Sequence, residues 1–287
     1  MADVTAIVLT KNEQKNLPDC LESLKGFADR VVVVDSGSTD ATCDLALAAG
    51  AEVLQHPFEN YSKQFNWALD NAEISTGWTL RLDADERLTP ELKAEFEALM
   101  QAHGTDDVNG IVTEAWMYFM GRRMIHAREQ RVKLILFKTG LGRIEDRNMD
   151  EHTLLLSGTM IRAKERFLHY DYKDMTHYIN KLNWYAGREV RDYFESLEGD
   201  QKTKGMEAVN RRTRRLKFGF YYRLPMFFRC WLLFIFNYVF RLGFLDGKEG
   251  FLYHYMYSRF YRTLVDAKIY EHIKSGVPFE ALGPIRE

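Results

Sequence analysis

Short apolar runs alternate with amphipathic segments through the first hundred residues of the chain. The runs are rich in valine, isoleucine and leucine, and one of them contains four consecutive valines at positions 31–34. An uninterrupted apolar run of this length is typical of a strand that is buried on both faces of a sheet. The strands predicted in this way cover residues 5–10, 30–35, 52–55 and 78–83.

Helical patterns lie between these strands. Gly50 ends the second helix, and Thr89 followed by Pro90 predicts the start of the fourth, because Thr caps a helix and Pro is favoured at its first position. The predicted helices cover residues 17–24, 41–49, 62–72 and a segment from Pro90 onward. Strands and helices that alternate in this order indicate an α/β fold with a parallel sheet and right-handed crossovers.

The pattern changes after residue 100. Weaker strand-like runs cover residues 111–113, 133–138 and 152–156, and a helical pattern resumes near Asp174. We therefore expect one α/β domain over residues 1–200, with two halves that meet near residue 100. A helical region of amphipathic, aromatic character follows over residues 201–287.

Composition limits the class of protein. Apolar residues make up 46% and charged residues 28%, which excludes a disordered or collagen-like chain. The 39 basic and 41 acidic residues give a net charge of -2, so we expect no nucleic-acid partner. Cys20, Cys43 and Cys230 are odd in number and far apart, which suits a reducing compartment. Because the first residues also lack the pattern of a signal peptide, we expect a cytoplasmic protein.

Acidic side chains follow three of the predicted strands, where parallel-sheet proteins bind their ligands. Glu13 follows the first strand, Asp35 ends the second, and Asp83 and Asp85 end the fourth. Two carboxylates separated by one residue repel each other unless a cation lies between them, so this pair favours a Mg²⁺ or Mn²⁺ site with a phosphate ligand. The alternative is that these acids only lead into the helix at Pro90.

Several common motifs are absent from the sequence. No Gly-x-Gly-x-x-Gly follows the first strand, which disfavours a dinucleotide site, and the chain contains no Walker loop. It also lacks a Gly-x-Ser-x-Gly elbow, so nothing marks a serine as an activated nucleophile.

Three segments resemble, in order and spacing, the nucleotide-sugar half of family 2 glycosyltransferases, which have the GT-A fold. They are residues 7–13 (Ile-Val-Leu-Thr-Lys-Asn-Glu), 32–40 (Val-Val-Val-Asp-Ser-Gly-Ser-Thr-Asp) and 82–86 (Leu-Asp-Ala-Asp-Glu). The chain is similar to a bacterial subgroup that acts on lipopolysaccharide core or other cell-surface glycans. Residues 62–69, 76–78, 243–247 and 250–251 strengthen this resemblance.

The resemblance implies a binding pocket for a nucleotide-diphosphate sugar, most simply a UDP-sugar. Thr10, Glu13 and Asp35 would line the nucleoside pocket, with Asp35 near the base. Lys63 and Gln64 would approach the nucleotide from the next helix.

The same resemblance implies roles for the acidic pair. Asp83 would reach the ribose or the metal, and Asp85 would ligate the Mg²⁺ or Mn²⁺ that binds the diphosphate. The spacing of the histidines matches no zinc signature. Among them, His169 is retained as a residue that contacts the sugar acceptor or a phosphate.

Family members carry a carboxylate base near the end of the catalytic domain. Asp150 and Glu151 lie at that relative position, where similar proteins often carry a His-Glu pair. We favour Glu151 as the base, then Asp150, with Glu145 and Asp146 as a second acidic pair nearby. The alternative is that these residues are ordinary loop acids.

A basic stretch over residues 202–217 precedes an aromatic and apolar stretch over residues 218–240. The block from Cys230 to Phe240 is shorter than the ~20 residues that cross a bilayer, so it is either a buried core helix or an interfacial or re-entrant helix at the membrane. In the second interpretation, basic and aromatic side chains would bind the inner leaflet. The predicted membrane contacts are Arg211, Arg212, Arg214, Arg215, Trp231 and Phe234.

Together these observations predict an inverting, metal-dependent glycosyltransferase that acts on a glycan or glycolipid acceptor at the cytoplasmic face of the inner membrane. An oligomer of identical chains is left open. A haloacid-dehalogenase-type phosphatase is disfavoured, because such enzymes carry Asp-x-Asp after the first strand, whereas here Asp83 and Asp85 follow the fourth. A nucleotidyltransferase and a catalytically inactive nucleotide-binding membrane scaffold remain as alternatives.

Overall fold

The computed structural model describes residues 3–126, 132–145, 152–197 and 216–276. These residues divide into two compact units. We call the first the sheet unit; among the described residues it contains 3–118, 132–145 and 152–172. We call the second the helical unit; it contains 119–126, 173–197 and 216–276. Each unit is described by itself.

The first half of the sheet unit is the predicted alternation of strands and helices. The parallel strands have the order β3-β2-β1-β4. They are β1 (Val4–Thr10), β2 (Arg30–Asp35), β3 (Glu52–Gln55) and β4 (Trp78–Asp83). The helices are α1 (Leu17–Leu24), α2 (Thr42–Ala48), α3 (Tyr61–Asn71) and α4 (Pro90–Ala102). The α/β prediction is therefore confirmed.

Local sequence explains these elements. Val32, Val33 and Val34 are fully buried in β2, as expected for a strand covered on both faces. The Thr89 hydroxyl accepts a hydrogen bond of 3.1 Å from the Leu92 backbone N–H, which confirms the predicted cap of α4.

The second half of the sheet unit is mixed rather than parallel. Its strands extend the sheet in the order β4-β8-β6-β12-β5, and β8 is antiparallel to both β4 and β6. The remaining strands of the chain are β5 (Glu86–Arg87), β6 (Val108–Phe119), β7 (Arg122–Arg123), β8 (Val132–Lys138), β9 (Gly142–Ile144), β10 (Thr153–Leu155), β11 (Thr159–Arg162) and β12 (Phe167–His169). Because β12 pairs with β5, the segment after β12 lies beside the turn that follows β4.

The helical unit is built around two long helices. Its helices include α5 (Met175–Leu197), α6 (Phe228–Ile235), α7 (Gly247–His254) and α8 (Arg262–Ser275). π-helical segments cover Phe236–Phe240 and Tyr255–Tyr261, and 3₁₀ turns cover Tyr221–Arg223 and Gly243–Asp246. Leu182, Ala186 and Val190 of α5 pack against a core that includes Val265 and Ile269 of α8.

The helix α5 belongs to the helical unit, which includes the described residues from 173 onward. From the sequence alone, the helical region is instead expected to begin at residue 201. The buried residues of α5 recur every four positions, which identifies an amphipathic helix but not the element that covers its apolar side. That partner, α8, lies about eighty residues further along the chain, so sequence pattern alone places α5 with its neighbours in sequence.

Buried charges stabilise the helical unit. Arg229 and Asp266, each only 1% exposed, form an ion pair of 2.5 Å. Glu189 accepts hydrogen bonds from Tyr222, Tyr261 and Arg262. In the described part of the chain no single helix is long and apolar enough to cross a membrane, although Phe228–Phe240 and Gly243–Ser275, bent by 72°, pass that test as a pair.

Candidate functional site

Three predicted site residues meet at one edge of the sheet. In the parallel register Thr10 lies opposite Asp35, and Leu9 lies opposite Asp83. The carboxyl ends of β1, β2 and β4 therefore place Thr10, Asp35 and Asp83 along the same edge, as the sequence predicts.

Asp35 is a fully buried carboxylate that organises the turn after β2. One oxygen accepts hydrogen bonds from the Thr10 hydroxyl (2.9 Å) and the Ser38 hydroxyl (2.5 Å). The other accepts from the backbone N–H groups of Gly37 (3.0 Å) and Ser38 (2.8 Å). Burial alone would raise the pKa of Asp35, but the bonds from Ser38 and Thr10 outweigh it and hold the pKa below 3.8. Asp35 is thus held ionised.

The loops after β1 and β2 are joined to each other. Asn12, which adopts a left-handed backbone with φ of 53°, accepts a hydrogen bond from the Thr39 backbone N–H at 2.8 Å. Its own N–H donates to the Ser38 hydroxyl at 2.8 Å, and the Glu13 N–H donates to the Thr42 hydroxyl at 2.8 Å. These hydrogen bonds hold the backbone of the half-buried Glu13 in place beside the loop after β2.

The two residues predicted on α3 have different surroundings. Lys63 is exposed and pairs with Glu59 at 2.5 Å. Gln64 is buried; its amide donates to the Ser36 hydroxyl and to the His56 carbonyl, each at 3.0 Å. Gln64 therefore supports the loop directly after Asp35. A direct nucleotide contact for either residue stays a prediction.

Asp83 is held by two partners. Tyr61 donates to one carboxylate oxygen at 2.5 Å, and the Lys133 ammonium lies 3.0 Å from the other. Burial by itself would raise the pKa of Asp83, but Lys133 and the nearby Arg81 hold it well below its usual range. The Arg81 guanidinium in turn donates to Tyr61 at 2.9 Å.

Lys133 and Glu86 are site residues that the sequence analysis missed. Lys133 lies 2.5 Å from Glu86, so it bridges Glu86 and Asp83. Burial and the charge of Asp83 raise the pKa of Glu86 to about 7. The lysine that precedes the apolar run over residues 134–137 of β8 is a signal that could have identified it, because a cation within a buried strand requires an acidic partner.

Asp85 lies beside a histidine from β12. The His169 imidazole Nε2 is 3.4 Å from an Asp85 carboxylate oxygen, and the Tyr170 N–H donates to the Asp85 carbonyl at 2.8 Å. Among the described residues, no cluster of three or more His, Cys, Asp or Glu is placed to hold a metal by itself. A carboxylate is nonetheless a suitable donor for Mn²⁺ or Mg²⁺ when substrate phosphates supply further oxygens, and a neighbouring imidazole could add a nitrogen ligand to a transition-metal ion such as Mn²⁺. Asp85 and His169 therefore fit a metal better than Asp83, whose two oxygens contact Tyr61 and Lys133.

Asn16, which is buried, connects the first loop to the segment after β12. Its amide donates to Glu13 and to Asp171, each at 2.9 Å, and its carbonyl oxygen accepts from the Tyr172 N–H at 2.8 Å. The Arg87 guanidinium lies 4.5 Å from the centre of the Tyr172 ring. Two segments far apart in sequence thereby form one side of the site.

The predicted bases Asp150 and Glu151, together with Asp146, lie outside the described residues. Glu145 and His152, which flank this segment, are joined by a backbone hydrogen bond of 2.9 Å. The Glu145 side chain is buried and lies 3.8 Å from the His152 ring. The assignment of the base stays a prediction.

The predicted membrane contacts fall in two groups. Arg211, Arg212, Arg214 and Arg215 lie outside the described residues. Trp231 is exposed, whereas Phe234 is half-buried and stacks on Tyr238 with ring centres 5.4 Å apart. Of the predicted contacts that the structure describes, Trp231 is therefore the one on the surface.

Comparisons with known proteins bear on this site. The family model described as glycosyl transferase family 2 matches residues 5–160. The lipopolysaccharide core biosynthesis glycosyltransferase LpsC of Rhizobium meliloti is 29% identical over 282 residues, covering 93% of this chain and 92% of that protein. An uncharacterized glycosyltransferase of Rickettsia felis is 26% identical over 208 residues, covering 67% of this chain and 70% of that protein.

A solved structure supports the fold. The mannosyltransferase PcManGT from Pyrobaculum calidifontis, in complex with GDP-Man and Mn²⁺, aligns with a TM-score of 0.55 and 14% identity. The alignment covers 93% of this chain and 87% of that one. At this identity the likeness shows the fold alone, and it agrees with the GT-A fold expected from the sequence.

Proposed function

Since the chain belongs to glycosyl transferase family 2, we propose that it transfers a sugar from a nucleotide-diphosphate sugar to a hydroxyl group of a lipid-linked or lipopolysaccharide-type glycan, with inversion at the anomeric carbon. The observation that carries this proposal is the strand edge at which Asp35, Asp83 and the Asp85–His169 pair lie together. An edge of this kind suits a ligand with a polar nucleoside at one end and a diphosphate at the other.

The nucleoside would bind beside Asp35. Its carboxylate is ionised and its two oxygens accept hydrogen bonds from Thr10, Gly37 and Ser38, so it fixes the loop after β2 against which the base would lie. Glu13 is held nearby by Asn16 and would contact the ribose or base. We propose a UDP-sugar as the donor, following the family resemblance.

The diphosphate would bind beside Asp85 and His169. These two side chains would hold Mg²⁺ or Mn²⁺ together with phosphate oxygens, and the bound cation would neutralise the charge that develops on the departing diphosphate. Lys133 neutralises Asp83 and Glu86, so fewer uncompensated negative charges face the incoming phosphates.

The acceptor hydroxyl requires a base. We propose Glu151, with Asp150 as the alternative, to take the proton while the acceptor oxygen attacks the anomeric carbon. The bond from that carbon to the diphosphate oxygen breaks as the new bond forms on the opposite face, and this displacement inverts the configuration. The diphosphate leaves with the bonding electrons.

The acceptor class and location follow from similarity and composition. LpsC is named for lipopolysaccharide core biosynthesis, and it aligns with nearly the whole chain. The cysteines at 20, 43 and 230 are free thiols, which supports a reducing compartment. We therefore propose that the reaction takes place at the cytoplasmic face of the inner membrane.

Replacing Asp85 tests the proposal. We expect Asp85→Asn to lower sugar transfer about 10²–10³-fold, because the amide keeps the shape but loses the charge that holds the cation. Mn²⁺-dependent thermal stabilisation by UDP should fall with it. The matched control is Glu97→Gln, which removes an exposed carboxylate on α4 and should leave both measurements unchanged. Full transfer by Asp85→Asn in the presence of EDTA would contradict the proposed metal role.

A further inference from the structure

One helical segment of the helical unit has a continuous apolar stripe on its outer side. The segment consists of α6 and the π-helical turn that follows it, Phe228–Phe240. Its exposed apolar residues recur at intervals of three and four positions, which places them along one face. They include Phe228, Trp231, Ile235, Phe236, Val239 and Phe240.

The opposite side of this segment is packed in the usual way. Cys230 is buried, and the Phe234 ring stacks on Tyr238 and meets the edge of Phe251 at 6.2 Å. Asn237 donates to the Ser258 hydroxyl at 2.9 Å. The helix therefore has a defined orientation within its unit, and the stripe is its outward face.

The neighbouring segments add to the stripe. Phe244 and Leu245, in the turn that follows, are exposed, as are Phe251 and Leu252 of α7. We call these four residues and the stripe together the apolar face. The rings of Phe244 and Phe251 lie beside the ring of Tyr238 in the segment, with ring centres 6.3 Å and 5.6 Å away, so these neighbouring residues border the same helix.

The chemistry of the apolar face favours lipid over a protein partner. Apart from the Trp231 indole, its side chains offer no hydrogen-bond donor or acceptor, whereas protein interfaces form about one hydrogen bond per 100–200 Å². The hydrocarbon region of a bilayer offers no groups for hydrogen bonding, so an apolar surface can contact it without polar side chains. The polar groups of the same helix, Arg229 and Asn237, bind partners inside the unit.

The charges around the face also fit a lipid surface. Cations that pair with Glu189 or Asp266 inside the helical unit are not available to lipid. They are Lys217, Arg229 and Arg262. Arg223 and Lys248 are exposed, and Arg241 lies at the end of the stripe. A segment of 13 residues is about 20 Å long, shorter than the ~30 Å hydrocarbon core, so it suits an orientation in the plane of the membrane.

We propose that the apolar face docks on an anionic lipid bilayer, with the segment Phe228–Phe240 lying in the plane of the interface. The exposed aromatic and aliphatic side chains enter the acyl boundary, and the exposed cations contact lipid headgroups. Docking on the bilayer would bring the enzyme to a lipid-linked acceptor in the same membrane. The biological role of this docking therefore rests on the proposed function.

Vesicle binding tests the proposal directly. We expect the full chain to sediment with phosphatidylglycerol vesicles at low salt, and a fraction to stay bound at high salt because apolar burial is not screened. Phe236→Gln combined with Phe240→Gln should lower the partition coefficient about tenfold or more. These positions are 51% and 74% exposed, so folding should not depend on them.

The control variant combines Leu47→Gln with Ile273→Gln, two apolar residues that are 59% and 56% exposed outside the apolar face. It should bind vesicles like the unchanged chain. Insertion should also shift tryptophan emission to the blue, and Trp231→Phe should remove that shift. Circular dichroism checks that each variant is folded.

Three outcomes would overturn the proposal. The first is that the chain does not bind phosphatidylglycerol vesicles at low salt. The second is that both double variants lose vesicle binding equally. The third is that the chain does not bind vesicles but self-associates, and that Phe236→Gln with Phe240→Gln disrupts this self-association. The last result would assign the face to a second copy of the chain. The vesicle assay contains neither sugar donor nor acceptor. Its result therefore stays valid even if the protein proves unable to transfer a sugar.

Discussion

The two units differ in how many of their large aromatic side chains face the surface. In the sheet unit, the largest buried side chains include Phe27, Phe65 and Phe96, and charged groups gather at the strand edge. In the helical unit, Arg229 and Asp266 are buried against each other while a row of aromatic side chains is exposed. Aromatic content alone therefore does not identify a core. Whether an aromatic side chain is buried depends on which other elements pack against its face.

Removing one aromatic ring from each unit should have the most unequal effects on stability. We expect Phe65→Ala to lower the free energy of unfolding by about 4 kcal/mol, because it leaves a cavity beneath the sheet. Phe240→Ala should change it by less than about 0.5 kcal/mol, because the ring is exposed. Urea unfolding of the full chain, followed by circular dichroism, measures both changes. Equal effects would show that Phe240 has a buried partner and that the contrast between the units is wrong.

A second prediction concerns the charged edge of the sheet unit. Lys133→Met should destabilise the protein by about 2 kcal/mol, because Asp83 and Glu86 then lose the ammonium group that bridges them. The cost stays below that of an isolated buried charge, since Glu86, with a pKa of about 7, can take up a proton. Lys138→Met, on the same strand, is the control and should have a smaller effect, because Lys138 donates to the Asp106 carbonyl at the surface and does not bridge two carboxylates. Similar losses in the two variants would remove Lys133 from the site.

The smallest expected effect involves Asp35 and pH. Its pKa in the folded state is below 3.8, so it contributes stability that is present above the unfolded pKa and is lost as the pH falls through the folded value. Ser38→Ala should remove about 1 kcal/mol of this contribution at neutral pH and reduce the loss of stability on acidification. Unfolding midpoints measured from neutral pH down to pH values below 3.8 give the comparison. An unchanged acid limb would mean that Asp35 is not held by Ser38.

The parallel half of the fold could be predicted because its signals are local. Consecutive valines and the Thr89–Pro90 pair determine a strand and a helix start without reference to distant residues. Since parallel strands align their carboxyl ends, the common edge of Asp35 and Asp83 followed from the same pattern. What these residues bind stays a prediction, because no pattern in the chain specifies a ligand.

The rest could not be predicted, because it depends on pairing between distant segments. The strand β5 has two residues, too few to show a period, yet its pairing with β12 brings His169 to Asp85. Lys133 became part of the site only because β8 is antiparallel to β4. The assignment of α5 to the helical unit likewise depends on α8, which no local signal identifies.

The hydrogen bond from Asn16 to Asp171 has a consequence for the timing of biosynthesis. The two residues are 155 positions apart, so this side of the site cannot close until the later segment has left the ribosome. At about 5–20 residues per second, that interval lasts roughly 8 to 30 s. The four parallel strands, complete by Asp83, precede it by some 90 residues. During synthesis the edge that carries Asp35 and Asp83 is therefore expected to exist as an open platform, and the protein acquires its full set of ligand contacts as a late event.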